Sequence, residues 1–310
     1  MGIYLNGIHI SRKLSTEKGN YAQRLRLYAV ADLKHKTLNI ERMMIIEQML
    51  NNAPNPLLHI ADVSGSALFQ GDCLDIMPLI PDNSIDLILC DIPYGTTACK
   101  WDSVIPFDKM WEQLKRIRKD NTAILLFGSE PFSSNLRMSN MNEYKYDWIW
   151  DKKRVSNPMM AKKMPLKNYE IISVFYKQQP IYNPQPTKKS TGKGMSNKGH
   201  NETHKTETTG NSKLVTRRDY TDVGYPKMLL TEIKVINNLT TDKAGLHPTQ
   251  KPIELNEYLI KTYSDEGMTV LDFTMGAGAS MVASKNLNRK FIGIEKESKY
   301  YEIACQRCGF

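Results

Sequence analysis

Long apolar runs are missing from this chain of 310 residues, and none approaches the roughly 20 residues that a membrane-spanning helix requires. The N-terminus lacks the charged stretch followed by an apolar stretch that is typical of a secretory signal peptide. Asn6 stands where a myristoylation signal has Ser or Thr, so a lipid anchor is not expected either. The chain has only five cysteines, and without a secretory segment this content is typical of a reducing compartment. We therefore expect a cytoplasmic protein without membrane attachment.

Clusters of metal-ligating side chains are also scarce. Cys305-x-x-Cys308 and His200-x-x-x-His204 each have the spacing of zinc ligands, but the two pairs lie about a hundred residues apart. The histidines also fall in a polar segment that cannot form a core of its own. We therefore expect no metal ion. Internal repeats are absent as well, which excludes a repeat architecture.

Acidic residues are fewer than basic ones. The chain has 42 Lys or Arg and 33 Asp or Glu, which gives a net charge of +9. The excess is local, since the segment from Asp151 to Tyr220 contains fifteen Lys or Arg and five Asp or Glu, a difference of +10. Basic runs are often only solvated surface. A local excess of this size also fits a polyanionic partner such as nucleic acid.

An acid, a proline and an aromatic ring follow directly after a strand-like apolar run. The run extends from Ile85 to Cys90, and the residues after it are Asp91-Ile92-Pro93-Tyr94. A carboxylate can accept hydrogen bonds from an exocyclic amino group, proline fixes the turn, and tyrosine offers a face on which a planar base stacks. The tetrapeptide therefore indicates chemistry on an amine. A strand that ends in a turn with a solvated aspartate is the alternative that these residues alone leave open.

A second strand-like run, from Met268 to Asp272, leads into a glycine-rich turn and a helical stretch. Gly276 and Gly278 permit a bend and let the backbone approach a ligand closely, as in doubly wound nucleotide-binding folds. Glu295 ends the next strand-like run and lies 19 residues beyond Gly276, close to the roughly 20-residue spacing of a ribose-binding acid. Together these features predict a nucleoside site.

These two motifs, with His247-Pro248-Thr249-Gln250-Lys251-Pro252 between them, resemble the amino-type DNA methyltransferases, which methylate the exocyclic amine of adenine or cytosine. The resemblance covers roughly residues 68–176 and 246–304. The tetrapeptide precedes the glycine turn, and this order is similar to the beta-class permutation of the family. The resemblance implies an α/β fold with a doubly wound, mostly parallel sheet of the Rossmann-like methyltransferase type and a circularly permuted motif order.

The resemblance also implies S-adenosylmethionine as the cofactor and gives a role to each matched residue. Asp91 and the backbone carbonyl of Ile92 accept the two amino hydrogens of a flipped adenine, Pro93 shapes the turn and Tyr94 stacks the base. Asp72 has the N-cap of a helix as its alternative role. Thr249 and Lys251 are implied to hold the methionine carboxylate. The complete set implied in cofactor binding is Asp72, Thr249, Lys251, Asp272, Thr274, Gly276, Gly278 and Glu295.

Four residues, at three places in the chain, depart from the family pattern. Ile92 stands where proline is most frequent, but the implied acceptor there is a backbone carbonyl, which isoleucine retains. Phe273-Thr274 replaces a common Pro-Phe pair, and Ala279 replaces a frequent hydroxyl residue. We therefore expect part of the wall of the cofactor pocket to differ from the family pattern.

The resemblance divides the chain into an N-terminal extension at residues 1–66, a catalytic half at 67–176 and a cofactor-binding half at 246–310. Residues 177–245 correspond to the target-recognition insertion of the family. They contain a polar segment, about 185–213, that cannot bury enough apolar surface to offset its ordering entropy, so we expect it to be mobile. We expect DNA binding by the basic side chains Lys188, Lys189, Lys193, Lys198, Lys205, Lys213, Arg217 and Arg218.

The sequence leaves alternatives open. The acid at position 91 favours adenine within the resembled family, whereas serine there favours cytosine N4, and no feature of the chain separates DNA from RNA. A catalytically silent DNA-binding subunit is a further alternative, which the intact Asp91-x-Pro93-Tyr94 disfavours. A nicotinamide oxidoreductase would also use a glycine turn and Glu295, but the third glycine of that motif is missing.

The N-terminal extension contains an amphipathic pattern from Asn39 to Leu50, which predicts a helix capped by Asn39. Packing of its apolar face on the protein's own core is the default, and a second subunit or DNA are the alternatives. Because many members of the resembled class form dimers, we expect a homodimer. The resemblance also implies DNA methylation of the kind found in restriction–modification systems.

Overall fold

The chain divides into two compact units. The first comprises Met1–Asn183 with Met228–Phe310, and the second is Pro184–Lys227. In the second unit, Thr187–Lys188 pairs with Val223–Gly224 in antiparallel register. The computed structural model describes residues 2–5, 8–11, 59–63, 65–96, 102–156, 158–185, 187–188, 223–231 and 250–310.

Thirteen strands and six α-helices occur among the described residues. In chain order the strands are β1 Gly2–Leu5, β2 Ile8–Ser11, β3 His59–Val63, β4 Ser66–Gln70, β5 Ile85–Cys90, β6 Arg118–Gly128, β7 Tyr144–Ser156, β8 Lys167–Phe175, β9 Thr187–Lys188, β10 Val223–Gly224, β11 Leu229–Leu230, β12 Thr269–Asp272 and β13 Lys290–Glu295. The helices are α1 Cys73–Ile76, α2 Phe107–Ile117, α3 Phe132–Met138, α4 Ile253–Tyr263, α5 Ala279–Asn286 and α6 Ser298–Cys308. Short 3-10 turns lie at Met77–Leu79 and Pro158–Met160.

Nine strands form one mixed sheet in the order β11-β7-β8-β6-β5-β12-β13-β4-β3. Its parallel pairs are β11 with β7, β6 with β5, β5 with β12, β12 with β13, and β13 with β4. Its antiparallel pairs are β7 with β8, β8 with β6, and β4 with β3. The sheet is therefore mostly parallel, with antiparallel strands towards both of its edges.

The two faces of this sheet are covered by different helices, because successive side chains of a strand point to opposite faces. In β5, Ile88 and Cys90 pack in a cluster with side chains of α1, α2 and α3. Leu87 and Leu89 pack in a second cluster with side chains of α4. Helices α5 and α6 contribute to a third cluster with β4 and β13. This arrangement confirms the predicted doubly wound, mostly parallel α/β fold.

The strands β4, β5, β12 and β13 are parallel, so their carboxyl ends meet at one edge of the sheet. The last residues of β5 and β12 are in contact there, since Cys90 Sγ lies 3.1 Å from Asp272 Oδ1. The tetrapeptide follows β5 and the glycine turn follows β12, so the two motifs are neighbours despite their separation in sequence. In doubly wound folds this edge is where ligands bind.

Two boundaries differ from those expected. His59–Val63 forms the edge strand β3 against β4, so the sheet begins before residue 67. The second unit, Pro184–Lys227, is narrower than the expected insertion at 177–245, because β11 pairs with β7 of the main sheet. Strand pairing of this kind joins residues that are distant in sequence, and the composition of the insertion does not reveal it.

No helix within the described ranges combines the length and the apolar character needed to cross a bilayer. The helix predicted at 39–50 lies outside the described residues. Cys305 and Cys308 lie in α6, whereas His200 and His204 are outside the described residues. Within the described part of the chain, no group of three or more potential metal ligands occurs.

Candidate active site

A cavity of about 310 Å³ opens where β4, β5, β12 and β13 end. Its walls combine the tetrapeptide, the glycine turn and the ends of the flanking strands, so the structure brings the two halves of the predicted site together. The predicted residues that line it are Asp72, Asp91, Ile92, Pro93, Tyr94, Lys251, Asp272, Thr274, Gly276 and Glu295.

Asp91 and Tyr94 are joined by a hydrogen bond within the tetrapeptide. The Tyr94 hydroxyl donates to Asp91 Oδ1 over 2.6 Å, and its ring packs on Phe132 with the centroids 5.1 Å apart. Burial raises the pKa of Tyr94 well above its usual value, so the hydroxyl is a neutral donor. Burial also raises the pKa of Asp91, against the opposing effect of Lys251. The aromatic ring is therefore held beside the carboxylate at the wall of the cavity.

The loop after the tetrapeptide is held by Asp102, a buried residue that the sequence alone does not mark. Its Oδ1 accepts hydrogen bonds from the backbone N–H groups of Tyr94 and Gly95, over 2.8 and 2.9 Å. Its Oδ2 accepts one from the N–H of Thr96, over 2.9 Å. These bonds satisfy backbone donors beside the cavity. An isolated aspartate in a loop has no periodicity, which is why no pattern reveals it.

Lys251 lies against the carboxylate of Asp91. Its ammonium donates to Asp91 Oδ2 and lies 3.2 Å from Glu170 Oε2. The side chain is buried, with Nζ 5.1 Å from the centroid of the Phe127 ring. Burial alone would lower the pKa of Lys251, but Asp91 and Glu170 raise it above its usual value, so the ammonium stays charged. The described partners of Lys251 are thus carboxylates of the protein, and its implied contact with the methionine carboxylate stays a prediction.

Glu170 is a second acid at this position, in a strand that the sequence assigns to the core. Its Oε1 accepts a hydrogen bond from Lys152 Nζ over 3.0 Å, while Oε2 faces Lys251. Burial would raise the pKa of Glu170, but Lys251 and Lys152 lower it below its usual value, so the carboxylate is charged. The signal that could have marked Glu170 is its place directly before the apolar run 171–175.

Thr274, a departure from the family pattern, links the two halves of the site. Its hydroxyl donates to the backbone carbonyl of Asp91 over 3.0 Å, and its N–H donates to Asp272 Oδ1 over 3.1 Å. Asp272 also accepts from the Cys90 thiol over 3.1 Å and from the Ser280 hydroxyl. Burial raises the pKa of Asp272 to about 6. Thr274 therefore fixes the tetrapeptide relative to the glycine turn, through a side-chain bond that phenylalanine cannot form.

Glu295 closes the glycine turn. Its Oε2 accepts from the N–H of Gly276 over 2.9 Å, and its Oε1 accepts from the N–H of Glu297 over 2.8 Å. Gly276 has a φ of 53°, in the left-handed region that favours glycine. Burial raises the pKa of Glu295 to about 7. Each carboxylate oxygen retains lone-pair capacity for a ligand hydroxyl, which is compatible with the predicted ribose contact.

Gly278 has a packing role, and Asp72 caps a helix. Gly278 has a φ of 75°, and a Cβ added there would lie 2.9 Å from the Cβ of Ala304 in α6. Gly278 is absent from the described residues that line the cavity. Asp72 caps α1 by accepting from the N–H of Leu74 over 2.9 Å, and its Oδ2 lies 3.1 Å from Lys296 Nζ. Their contacts with a cofactor stay predictions.

The residues assigned to DNA binding lie almost entirely outside the described residues. Lys188 is described only through the backbone of β9, which pairs with β10. Most of the predicted mobile segment 185–213 is also outside them. The predicted residues without a described position are Thr249 of the cofactor set, together with Lys189, Lys193, Lys198, Lys205, Lys213, Arg217 and Arg218.

Comparison with known proteins agrees with this geometry. A family model described as DNA methylase, N6_N4_Mtase, matches residues 85–306, a span that runs from β5 to α6. The type II methyltransferase M.HindIII of Haemophilus influenzae strain Rd is 42% identical to this chain over 71 residues. The aligned segment covers 23% of this chain and 23% of that protein, so the match spans about a quarter of the relative's length.

Two solved structures share the fold. The PvuII DNA methyltransferase (cytosine-N4-specific) aligns with a TM-score of 0.55 and 14% identity, covering 79% of this chain and 86% of that one. The crystal structure of M1.HpyAVI aligns with a TM-score of 0.50 and 19% identity, covering 78% and 98%. At these identities the likeness concerns the fold.

Proposed function

Because this chain belongs to the N6_N4_Mtase family of DNA methylases, we propose that it transfers a methyl group from S-adenosylmethionine to the N6 amine of adenine in DNA. The observation that carries the proposal is the position of Asp91. It follows a buried strand, it is bonded to Tyr94, and it shares one cavity with Gly276 and Glu295. An acid at this position favours adenine in the family.

The residues around the glycine turn fit S-adenosylmethionine. The cavity of about 310 Å³ falls within the range of small-molecule sites, roughly 300 to 1,000 Å³. The left-handed backbone at Gly276 allows close approach, and Glu295 accepts ribose hydroxyls. When bound, the cofactor supplies an electrophilic methyl group on a positively charged sulfur.

The tetrapeptide orients the target base. The base must leave the duplex for its amino group to reach the cavity. Tyr94, supported by Phe132, then stacks the base, while Asp91 and the carbonyl of Ile92 accept the two amino hydrogens. These bonds increase the electron density on the nitrogen and stabilise the positive charge that develops there. The protein therefore acts by positioning and electrostatics rather than by proton abstraction before the transfer, and the amine passes its surplus proton to Asp91 after the methyl group has moved.

Lys251 takes part in this step as the temporary partner of Asp91. Both carboxylate oxygens of Asp91 already have donors, namely the Tyr94 hydroxyl and the Lys251 ammonium. The ammonium thus occupies the place that the amino group of the base takes. Entry of the base displaces Lys251 from Asp91, and Glu170 is the second carboxylate within reach, 3.2 Å away. Glu170 is therefore a positioning residue that retains Lys251 during catalysis.

A direct assay tests the proposal. Purified protein is incubated with duplex DNA and methyl-labelled S-adenosylmethionine, and the digested nucleosides are identified by mass spectrometry. N6-methyladenine is the expected product. N4-methylcytosine alone would replace the adenine assignment, and labelling of RNA but not DNA would replace the substrate. If neither DNA nor RNA yields a methylated product, the protein is a catalytically silent DNA-binding subunit.

Asp91→Ala provides the matching loss of function. The single-turnover rate should fall by about 100-fold or more, since a group that stabilises developing charge is removed. S-Adenosylmethionine binding should persist, because Asp91 faces the amine. Asp75→Ala removes an exposed acid of α1 and serves as the control.

A further inference from the structure

The hairpin of β7 and β8 extends beyond the carboxyl ends of the parallel strands, where the candidate active site lies. Gly128, the last residue of β6, pairs with Ile171 of β8. Because β8 runs antiparallel to β6, the residues before Ile171 lie beyond the carboxyl end of β6. Glu170 is the first of them and lines the cavity. The hairpin therefore forms one wall of the site and then projects away from it.

The hairpin tip, residues 158–166, has a defined backbone. The N–H of Ala161 donates to the carbonyl of Pro158 over 3.2 Å, at the end of the 3-10 turn. The carbonyl of Met160 accepts from the N–H groups of Lys163 and Met164, over 2.8 and 3.0 Å. These bonds close two successive turns, so the side chains of the tip are presented from a fixed loop.

The charge of the hairpin is entirely positive from Lys152 to Lys167, a segment with six Lys or Arg and no Asp or Glu. Lys152 and Lys167 are directed to the protein itself, since their ammonium groups bond Glu170 and Ser129. The two lysines of the tip itself, Lys162 and Lys163, are exposed.

The hairpin tip also exposes methionine. Met159 is 92% exposed and Met164 is 51% exposed. The tip thus offers both ammonium groups and long apolar side chains, a combination that fits a partner with both phosphates and stackable apolar faces. Duplex DNA is such a partner, because apolar side chains can enter between its base steps.

We propose that the hairpin tip docks on duplex DNA beside the target base, with Lys162 and Lys163 on phosphates and Met159 inserted at the base step that opens. The proposal rests on the proposed function and specifies the surface that it uses. Removing a base from the stack costs unstacking energy, and a wedge that fills the space lowers this cost. The hairpin is placed for this role because its base already lines the cavity.

The charge part of the proposal is tested by the salt dependence of binding. Lys162→Gln combined with Lys163→Gln should reduce the slope of log affinity against log salt by about 1.8, since each phosphate contact contributes about 0.9. Lys115→Gln combined with Lys290→Gln makes the same change of charge on exposed residues of α2 and β13, and should leave the slope unchanged. Fluorescence anisotropy with one duplex measures all three proteins.

The wedge part is tested by methylation of a duplex whose modified position has been mapped with the wild-type protein. Met159→Ala should slow single-turnover methylation about tenfold on the paired duplex. The loss should disappear when the target base is mismatched, because an unpaired base costs less to flip. Met138→Ala changes another highly exposed methionine, 72% exposed in α3, and should behave as wild type.

The outcomes separate this proposal from the proposed function. Absence of methylation by the wild-type protein would overturn the proposed function. An active wild type with unchanged slope in the lysine variant and unchanged rate in Met159→Ala would overturn the hairpin proposal alone. An altered oligomeric state in either variant, without a change in DNA binding, would make the tip a protein interface and would also overturn it.

Discussion

At the scale of single residues, one buried cation between two carboxylates dominates the site. Lys251 stays charged because Asp91 and Glu170 offset the cost of its burial. Removing either acid changes the balance between the two positions open to the ammonium. The carboxylate of Asp91, which we propose to act on the substrate, is thus paired with an ammonium that has Glu170 as a second partner nearby.

Glu170→Gln removes the charge that competes for Lys251. Lys251 then stays on Asp91, and we expect single-turnover methylation at saturating cofactor to slow by about 10- to 100-fold. Cofactor affinity, measured by calorimetry, should change little. Glu170→Asp retains the charge and should recover part of the rate. In a Lys251→Met background, Glu170→Gln should add no further loss, whereas additive losses would contradict the role of Glu170 through Lys251.

We expect Glu295 to make cofactor binding depend on pH. Burial raises its pKa from the usual 4.5 to about 7, so the carboxyl becomes protonated as the pH falls below 7. A protonated carboxyl loses acceptor capacity for ribose hydroxyls. We expect cofactor affinity to fall by up to about tenfold per pH unit below 7. Calorimetry across this range is the measurement, and Glu295→Gln should remove the dependence.

The raised pKa of Glu295 also predicts the sign of the stability change. Protonated Glu295 is favoured in the folded state, so the free energy of unfolding should decrease as the pH rises from 4.5 to about 7. Urea denaturation of Glu295→Gln should show a flatter pH profile over this range. Equal profiles in the two proteins would contradict the raised pKa of Glu295.

At the scale of elements, Gly278 fixes how closely α6 approaches the glycine turn. A Cβ there would meet Ala304, and a φ of 75° strains any other residue. We expect Gly278→Ala to lower the free energy of unfolding by about 2–4 kcal/mol, from strain and overpacking together. Gly267 has a φ of 79° with nothing within 4 Å of an added Cβ, so Gly267→Ala measures the backbone strain alone.

Thermal and urea denaturation of the two glycine variants separate the two causes. We expect Gly278→Ala to lose more free energy of unfolding than Gly267→Ala. The difference measures the cost of the contact with Ala304. Equal losses would show that α6 moves away without cost. Because Gly278 faces α6, a larger residue there would impair cofactor binding through displacement of this helix rather than by filling the cavity.

The succession of strand, turn and motif along the chain could be predicted from the sequence, because each of these features is local. The apolar run of β5, the glycine turn and the distance to Glu295 each lie within a short segment, and parallel strands bring their ends together. The contact of Lys251 with Asp91 and Glu170 could not be predicted in this way. It joins three segments that are far apart in the chain, and none of the three residues has a periodicity that indicates its partner.

Thr274 is a second case in which the sequence does not reveal a contact. Its departure from the family pattern marks the position as unusual, but the sequence does not show what replaces the missing contact. The structure supplies a hydrogen bond to the carbonyl of Asp91, 183 residues earlier in the chain. Side-chain bonds between neighbouring strands depend on the pairing of those strands, and this pairing is a property of the whole sheet.

At the scale of the whole molecule, the excess of positive charge is the feature that extends beyond the cavity. The net charge is +9, and the excess of Lys and Arg is concentrated between residues 151 and 220, so we expect a polyanion to be attracted mainly to that part of the chain. The expected homodimer stays a prediction, because the helix that would support it lies outside the described residues.

The basic segment at 185–213 is expected to bind DNA by counterion release. Replacing Lys193, Lys198 and Lys205 by glutamine should reduce the slope of log affinity against log salt by about 2.7, since each phosphate contact contributes about 0.9. Fluorescence anisotropy of a duplex between about 50 and 200 mM salt measures it. Cofactor affinity should not change, because the glycine turn and the segment are separate parts of the chain.

A matched triple variant controls for net charge in this experiment. Lys115, Lys261 and Lys290 are exposed on α2, α4 and β13, and their replacement by glutamine makes the same change of charge elsewhere. If the segment contacts phosphates, only its own variant flattens the slope, because counterions are released at contacts rather than by charge at a distance. Equal slopes in all three proteins would make the segment a solvated linker. The base that is methylated should be the same in each, since phosphate contacts position a duplex without reading it.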